Sequence, residues 1–190
     1  MRKIISFMHI SLDGFVAGPN REMNWIKVDE EIFDHVGQRI REGDTALYGR
    51  ITYQMMEAYW PTAGKEPGAS KHDIEHSTWY NKAQKIVLSK TLKDAQLTNT
   101  TIISDNLSDS ITEIKSRPGE DILFFGSPTA THALMQLNVI DGYWLFVNPI
   151  ILGQGIPLFT DIKNKIDLKL LTTQQFKCGV TELNYTVDRH

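Results

Sequence analysis

The chain is 190 residues long, 41% hydrophobic and 23% charged, with a net charge of −3. That length suffices for one domain with a full core over residues 1–190. It contains no ~20-residue apolar run, no basic block and no cysteine besides Cys178, which excludes a membrane helix, phosphate-driven nucleic-acid binding and a disulfide or cysteine-zinc framework.

The first strand reads at "KIISFMHIS" (3–11). Its apolar part alternates and stops at "LDGF", unlike the long apolar region of a signal peptide, so a cytoplasmic location is expected. "DEEIFDHVGQRIREG" (29–43) starts acidic and ends at Gly43, the pattern of a helix with dipole partners first and a glycine stop. A strand at 44–49 and a helix at 51–60 follow. Residues 61–80 break the alternation and read as an insertion over the sheet, with a short helix from Ser70 and a place in a pocket wall. Further strands read at 84–89, 100–104, 121–126 and 142–151, and further helices at 107–116, with Ser108 as cap, and at 128–138. The last runs, 169–176 and 180–187, turn around Cys178-Gly179 as an antiparallel hairpin. Most strands are apolar on both faces and alternate with helices. The fold class is therefore α/β in three layers, with a central mixed, mostly parallel sheet and a C-terminal antiparallel hairpin.

Ligands of open α/β sheets bind outside the carboxyl ends of the strands. Three strand ends carry suitable residues: Gly49-Arg50, Ser89-Lys90 and Gly126-Ser127-Pro128-Thr129. Two of them open helices, whose first N–H groups and positive dipole ends attract anions. Arg50 adds a planar fork for phosphate. Each alone is most simply a tight turn into a helix, but together they suit a dinucleotide. No G-x-G-x-x-G follows a strand and "TAGKE" lacks P-loop spacing, so neither of those phosphate motifs is present.

The stretches "SLDGFVAGP" (11–19), "LYGRITY" (47–53), "IVLSKTL" (86–92) and "FFGSPTATHALMQLNVIDGYWLFVNPIILGQGIPLF" (124–159) resemble the dihydrofolate reductase-like fold. Within it they resemble the reductase domain at the C-terminus of bifunctional riboflavin-synthesis enzymes, here as a stand-alone member. The resemblance implies NADPH as cofactor. Gly49, Arg50 and Thr52 would bind the pyrophosphate and the 2′-phosphate, and Leu88, Ser89 and Lys90 would flank the adenosine ribose. Gly126, Ser127, Pro128, Thr129 and Ala130 would form the second pyrophosphate loop, and Val16 and Gly18 would touch the nicotinamide. Family members carry successive glycines in that loop where this chain has Gly-Ser-Pro. Pro128 at the first helical position keeps the loop compatible with phosphate, with Ser127 free to cap or donate. The resemblance also implies a homodimer. "GYWLFVNPIIL" suits an interface, and it equally suits a buried strand.

The activity implied is hydride transfer to a small heterocyclic or ribosyl-linked substrate, as in 5-amino-6-(5-phosphoribosylamino)uracil reduction. Dihydrofolate reductase activity and a non-catalytic NADPH-binding module are the alternatives. Glu30 is the first choice to anchor or protonate substrate and Asp29 the second, following Trp25 as an early-helix carboxylate does in dihydrofolate reductase. Acidic residues there also serve as plain dipole partners, and that reading comes first. His72 and His76 stand four apart in a polar stretch and read as solvent-exposed, and no metal site is expected. His9 reads either as a pocket residue or as a core histidine. Asp13 reads as a turn-former holding a cofactor-side loop. Trp60, Trp79 and Tyr80 read as core packing or as walls for a flat ring.

Overall fold

A computed structural model describes residues 1–93 and 97–189. Its elements run β1 (Ile4–Ser11), β2 (Phe15–Ala17), α1 (Glu30–Glu42), β3 (Thr45–Gly49), α2 (Arg50–Ala63), α3 (Lys71–Lys82), β4 (Gln84–Leu88), β5 (Thr100–Ile103), α4 (Leu107–Ser116), β6 (Ile122–Phe125), α5 (Pro128–Gln136), β7 (Gly142–Asn148), β8 (Ile156–Pro157), β9 (Leu168–Gln175) and β10 (Thr181–Val187). The main sheet has eight strands in the order β5-β4-β3-β6-β1-β7-β10-β9. Its first six strands are parallel, and β10 runs antiparallel to both β7 and β9. The fold is α/β with a mixed, mostly parallel sheet and a C-terminal hairpin.

Alternation along each strand divides the core in two. Ile4, Leu47, Ile86, Ile122, Phe124 and Leu145 pack with Ile111 and Ile114 of α4 and Leu134 of α5. Their neighbours Ile5, Tyr48, Val87, Leu123, Phe125 and Trp144 pack with Ile32 and Val36 of α1, Tyr53 of α2 and Trp79 of α3. Both faces are thus covered, which is why the strands read as continuous apolar runs. Leu47, Phe124 and Leu134 are completely buried, and truncating any of them to alanine costs about 2–5 kcal/mol.

Several local expectations need correction. The helix expected to stop before Pro61 runs through it to Ala63. Proline removes one N–H from the ladder, but Ala63 is buried and Asn81 donates to the Pro61 carbonyl at 3.2 Å, so packing on α3 holds the last turn. The short helix expected from Ser70 is a twelve-residue helix. Its start is a capping box, in which Ser70 Oγ accepts from the Asp73 N–H and Asp73 accepts from the Ser70 N–H. Ser108 is not the cap of α4, since Asn106 holds that position in the left-handed region. The strand expected over 142–151 ends at Asn148, just before Pro149, because proline lacks the donor a ladder needs. It lies between β1 and β10 with Tyr143, Trp144, Leu145 and Phe146 all buried, so its apolarity reflects the core. The short pair β2-β8 was not anticipated. It is three residues against two, below what periodicity reveals.

Candidate functional site

The strand ends singled out in the sequence meet in space. β4, β3, β6 and β1 are consecutive parallel neighbours, so Ser89, Arg50 and Ser127 leave the same edge of the sheet. α2 packs with one face's core and α5 with the other's, so their N-termini flank a crevice at a topological switch point. The two turns interlock. A Cβ on Gly49 would lie 2.0 Å from Ser127 Oγ and 2.6 Å from Ser127 Cβ, so only glycine lets the strand ends approach this closely. Gly126, at φ +57°, faces Thr52, whose Oγ1 and Cγ2 would be 3.3 Å from an added Cβ.

These two helix starts differ from the others. Among the described residues α1 is capped by Asp29 and starts with Glu30 and Glu31, α3 carries its capping box, and α4 has Asp109 in its first turn. Neither α2 nor α5 has a side-chain cap or an acidic residue in its first turn. Pro128 occupies the first position of α5 as expected, where its missing N–H matters least. Of the two roles expected of Ser127, capping is the one it does not take. It holds the N-cap position at φ +62°, a left-handed conformation, and makes no cap bond. Thr129 is exposed and Ala130 buried beside Gly49.

The remaining strand-end residues have varied surroundings. Arg50 is half-buried and its guanidinium donates to Gln54 Oε1 at 3.1 Å. Lys90 is exposed, and Leu88 packs on the core at the end of β4. Ser89 Oγ accepts from the Thr91 and Leu92 N–H groups at 3.2 and 2.9 Å, shaping the turn. Val16 is buried in β2. Gly18 closes the following loop, its N–H donating to the Glu22 carbonyl at 2.9 Å. Asp13 does hold a second loop in place. Its carboxylate accepts from the Leu152 and Gly153 N–H groups at 3.1 and 2.7 Å and from Ser11 Oγ at 2.7 Å. The Ser11 bond foremost, and these backbone donors after it, hold its carboxyl below the usual range. His132 anchors α5 to the same region, with Nε2 2.9 Å from the Leu158 carbonyl.

Beside the crevice, on the α1–α3 face, lies an apolar cavity of about 150 Å³. Phe7 and His9 of β1, Tyr48 of β3 and Phe125 of β6 line its floor, and Tyr48 and Phe125 immediately precede Gly49 and Gly126. Phe33 and Val36 of α1, Trp60 of α2, and His72 and His76 of α3 line its walls. The stretch at 61–80 therefore supplies part of the wall, as expected, but its histidines are not solvent-exposed. His72 stacks on Phe33 with ring centroids 4.1 Å apart, and His76 lies tilted by 34° against Trp60 at 3.9 Å. The polar composition of the segment hid this, because His72 and His76 share one helix face while the exposed Thr78 lies away from it. Of the other aromatics, Trp60 is a cavity wall, whereas Trp79 donates to the Gly43 carbonyl and Tyr80 to Glu57 inside the core.

Burial depresses the cavity histidines. His9 falls to about 4 and His76 to about 3, so both rings are neutral near pH 7. His9 stacks on Phe146, and its Nδ1 lies 3.4 Å from Nδ2 of the completely buried Asn148. His76 Nδ1 is buried without a hydrogen-bond partner. Asp29 and Glu30 are not in the cavity lining. Asp29 Oδ1 accepts from the Ile32 N–H at 2.9 Å as the helix cap, and Glu30 is exposed two residues beyond Val28 at the rim.

A doubly covered parallel sheet with an open crevice at its switch point, beside an apolar cavity, is the layout of an α/β ligand-binding domain. Residues 2–181 match the sequence model of the RibD C-terminal domain, and the chain belongs to that family. It is 31% identical over 186 residues to the uncharacterized protein YyaP of Bacillus subtilis, covering 97% of this chain and 94% of that one. Its fold is similar to a putative riboflavin biosynthesis protein from Shewanella sp. PV-4, with a TM-score of 0.75, 19% identity and coverage of 98% and 99% of the two chains. It is also similar in fold to the diaminohydroxyphosphoribosylaminopyrimidine deaminase/5-amino-6-(5-phosphoribosylamino)uracil reductase of Thermotoga maritima, with a TM-score of 0.67, 13% identity and coverage of 98% of this chain and 57% of that one. Among the described residues no helix is long and apolar enough to cross a membrane, and no group of three or more His, Cys, Asp or Glu side chains is placed to hold a metal.

Proposed function

We propose that this protein is an NADPH-dependent reductase. Its cofactor lies across the carboxyl ends of β4, β3, β6 and β1, and its substrate enters the adjoining cavity. One observation carries this reading: among the described residues the N-termini of α2 and α5 are the helix starts with neither a side-chain cap nor an acid in the first turn, and they are packed together at the crevice. The site fits the group. The first N–H groups of α2 (Arg50 to Thr52) and those of Thr129 and Ala130 in α5 suit a pyrophosphate between the helix ends, with Ser127 Oγ beside them. Arg50 and the exposed Lys90 suit a 2′-phosphate, where an NAD site carries a carboxylate. Leu88 and Ser89 flank the ribose, Gly126 and Pro128 shape the second loop, and Val16 and Gly18 face the nicotinamide.

When bound, NADPH supplies the hydride. The chain orients the substrate and keeps water out, with Phe7, Tyr48 and Phe125 as an apolar floor. Glu30, exposed two residues beyond the lining residue Val28, is the carboxylate available to anchor or protonate substrate, while Asp29 is held by its capping bond. Among the described residues the cavity lining holds no carboxylate, which weighs against dihydrofolate reductase activity. A homodimer belongs to the same reading. Edge strand β9 leaves Leu168, Leu170 and Leu171 39%, 48% and 53% exposed, an apolar edge that a second copy would cover.

The test is an NADPH titration followed by NADPH oxidation with pterins and ribosylaminopyrimidines. Binding with turnover is the expected result, and binding without turnover would instead make the protein an NADPH-binding module. Absence of NADPH binding would overturn the proposal.

A further inference from the structure

His9, on the cavity floor, is a polar group whose proton the fold itself places. It pairs in register with Phe146 of β7 and stacks on that ring with centroids 5.1 Å apart. The completely buried Asn148 decides which imidazole nitrogen carries the proton. The Lys27 backbone N–H donates to Asn148 Oδ1 at 2.8 Å, so the amide turns its Nδ2 the other way. Nδ2 donates to the Phe146 carbonyl at 3.1 Å and lies 3.4 Å from His9 Nδ1. An amide nitrogen only donates, so His9 Nδ1 accepts, and the proton of the neutral ring sits on Nε2. Burial keeps the ring neutral. Among the described residues Nε2 bonds to no protein group, and it is not one of the buried unpaired atoms, which are Ser6 Oγ and His76 Nδ1. Its N–H is therefore open, on a ring that lines the cavity.

We propose that His9 is a catalytic residue of the reductase reading, on which this inference rests: its Nε2–H donates to the heteroatom of the substrate's reducible double bond, a carbonyl oxygen or an imine nitrogen. The substrate carbon takes the hydride that NADPH gives up on oxidation. The π pair moves onto the heteroatom, and that atom takes a proton from water. His9 keeps its own proton, because a neutral imidazole is too weak an acid to release it near neutral pH. Its N–H dipole, held in place beforehand, stabilises the charge that gathers on the heteroatom, and the apolar surroundings strengthen that bond. Asn148 is the positioning residue. It fixes the tautomer, and through Lys27 it ties His9 to the segment that leads into α1.

The experiment uses the full chain with isotope-labelled histidine, and para-dimethylaminobenzaldehyde as a chromophoric carbonyl probe, titrated with and without NADP+, which has no hydride to give. Nuclear magnetic resonance is expected to show His9 as the uncharged Nε2–H tautomer across about pH 5–8. The aldehyde's absorption is expected to shift to the red on binding, as its oxygen accepts the N–H. His9→Phe, which keeps a ring against Phe146, is expected to abolish the shift and to weaken the aldehyde about two- to tenfold. In Asn148→Asp, whose carboxylate accepts where the amide donated, Nδ1 is expected to gain a proton. A wild-type His9 protonated on Nδ1 would overturn the inference. So would an aldehyde that fails to bind or binds unshifted, or a shift that persists in His9→Phe. An unprotonated Nδ1 in folded Asn148→Asp would remove Asn148 from its role. If the variants fail to fold, the wild-type tautomer and the wild-type shift decide. NADPH binding with an unshifted aldehyde defeats the role of His9 and leaves the reductase reading intact. A shifted aldehyde without NADPH binding does the reverse.

Discussion

The two ends of the parallel sheet are built on opposite principles. At the amino ends of the strands the chain saturates its charges. Asp141, just before β7, accepts from the Ile4 N–H at 2.8 Å, Lys115 Nζ at 2.6 Å and Arg189 at 2.5 Å. Arg2 pairs with Asp44 and Thr45 beside the start of β3. At the carboxyl ends, among the described residues, the N-termini of α2 and α5 have neither a side-chain cap nor an acid in the first turn, Ser127 sits in the left-handed region, and neutral histidines line an apolar cavity. One end is satisfied internally and holds the fold. The other keeps unsatisfied groups, which is what a ligand needs to find. Stability is spent at one end and binding capacity is kept at the other.

The sharpest way to break this contrast is Asp141→Ala. Asp141 and Lys115 have side chains only 11% and 8% exposed, so the change strands a buried cation. A loss of about 3–5 kcal/mol is expected by chemical denaturation, with NADPH affinity of the folded protein unchanged. Affinity falling in step with stability would show that the two ends are not separate.

Acid should reach the two ends in sequence. Unfolded His9 binds its proton at 6.5 but the folded ring only near 4, and His76 only near 3. Between those values the unfolded state holds more protons, so stability is complete above pH 6.5 and falls as pH drops below it, by on the order of 3 kcal/mol for His9. Burial alone would raise the Asp141 carboxyl, but its bonds from Lys115 and Arg189 hold it below 3.8. Its contribution is therefore kept until pH falls past 3.8. Unfolding followed against pH should begin near 6.5, and His9→Phe should flatten that first stage. A profile unchanged down to pH 4 would contradict the histidine assignment.

Smaller effects probe the crevice itself. Gly49→Ala drives a Cβ into Ser127 and should cost about 1–3 kcal/mol in thermal unfolding while weakening NADPH more than tenfold. Arg50→Ala should weaken NADPH about tenfold, ~1.4 kcal/mol, and NADH little. Equal losses for both would remove Arg50 from the 2′-phosphate. Ser127→Gly releases the left-handed strain but loosens the unfolded chain, so stability should stay within about 1 kcal/mol of wild type.

The sequence carried much of this layout. Strands apolar on both faces announced the doubly covered sheet, and glycines after strands marked the turns that interlock at Gly49 and Gly126. Local rules failed where packing or strain overrode them. Pro61 did not end α2 because α3 holds the turn, and Ser127 did not cap α5 because its backbone is left-handed. The cavity was the least legible part. Its lining comes from β1, β3, β6, α1, α2 and α3, and His72 and His76 sit in a segment whose composition is polar.

By itself, then, the sequence determined the class of fold, the positions of most elements and the strand-end glycines, because apolar periodicity and turn chemistry act within a few residues. Only the tertiary structure decided which ends became neighbours, which helix starts stayed uncapped and which histidines turned inward. Those outcomes depend on strand order and on packing between segments distant in the chain, and no local window contains them.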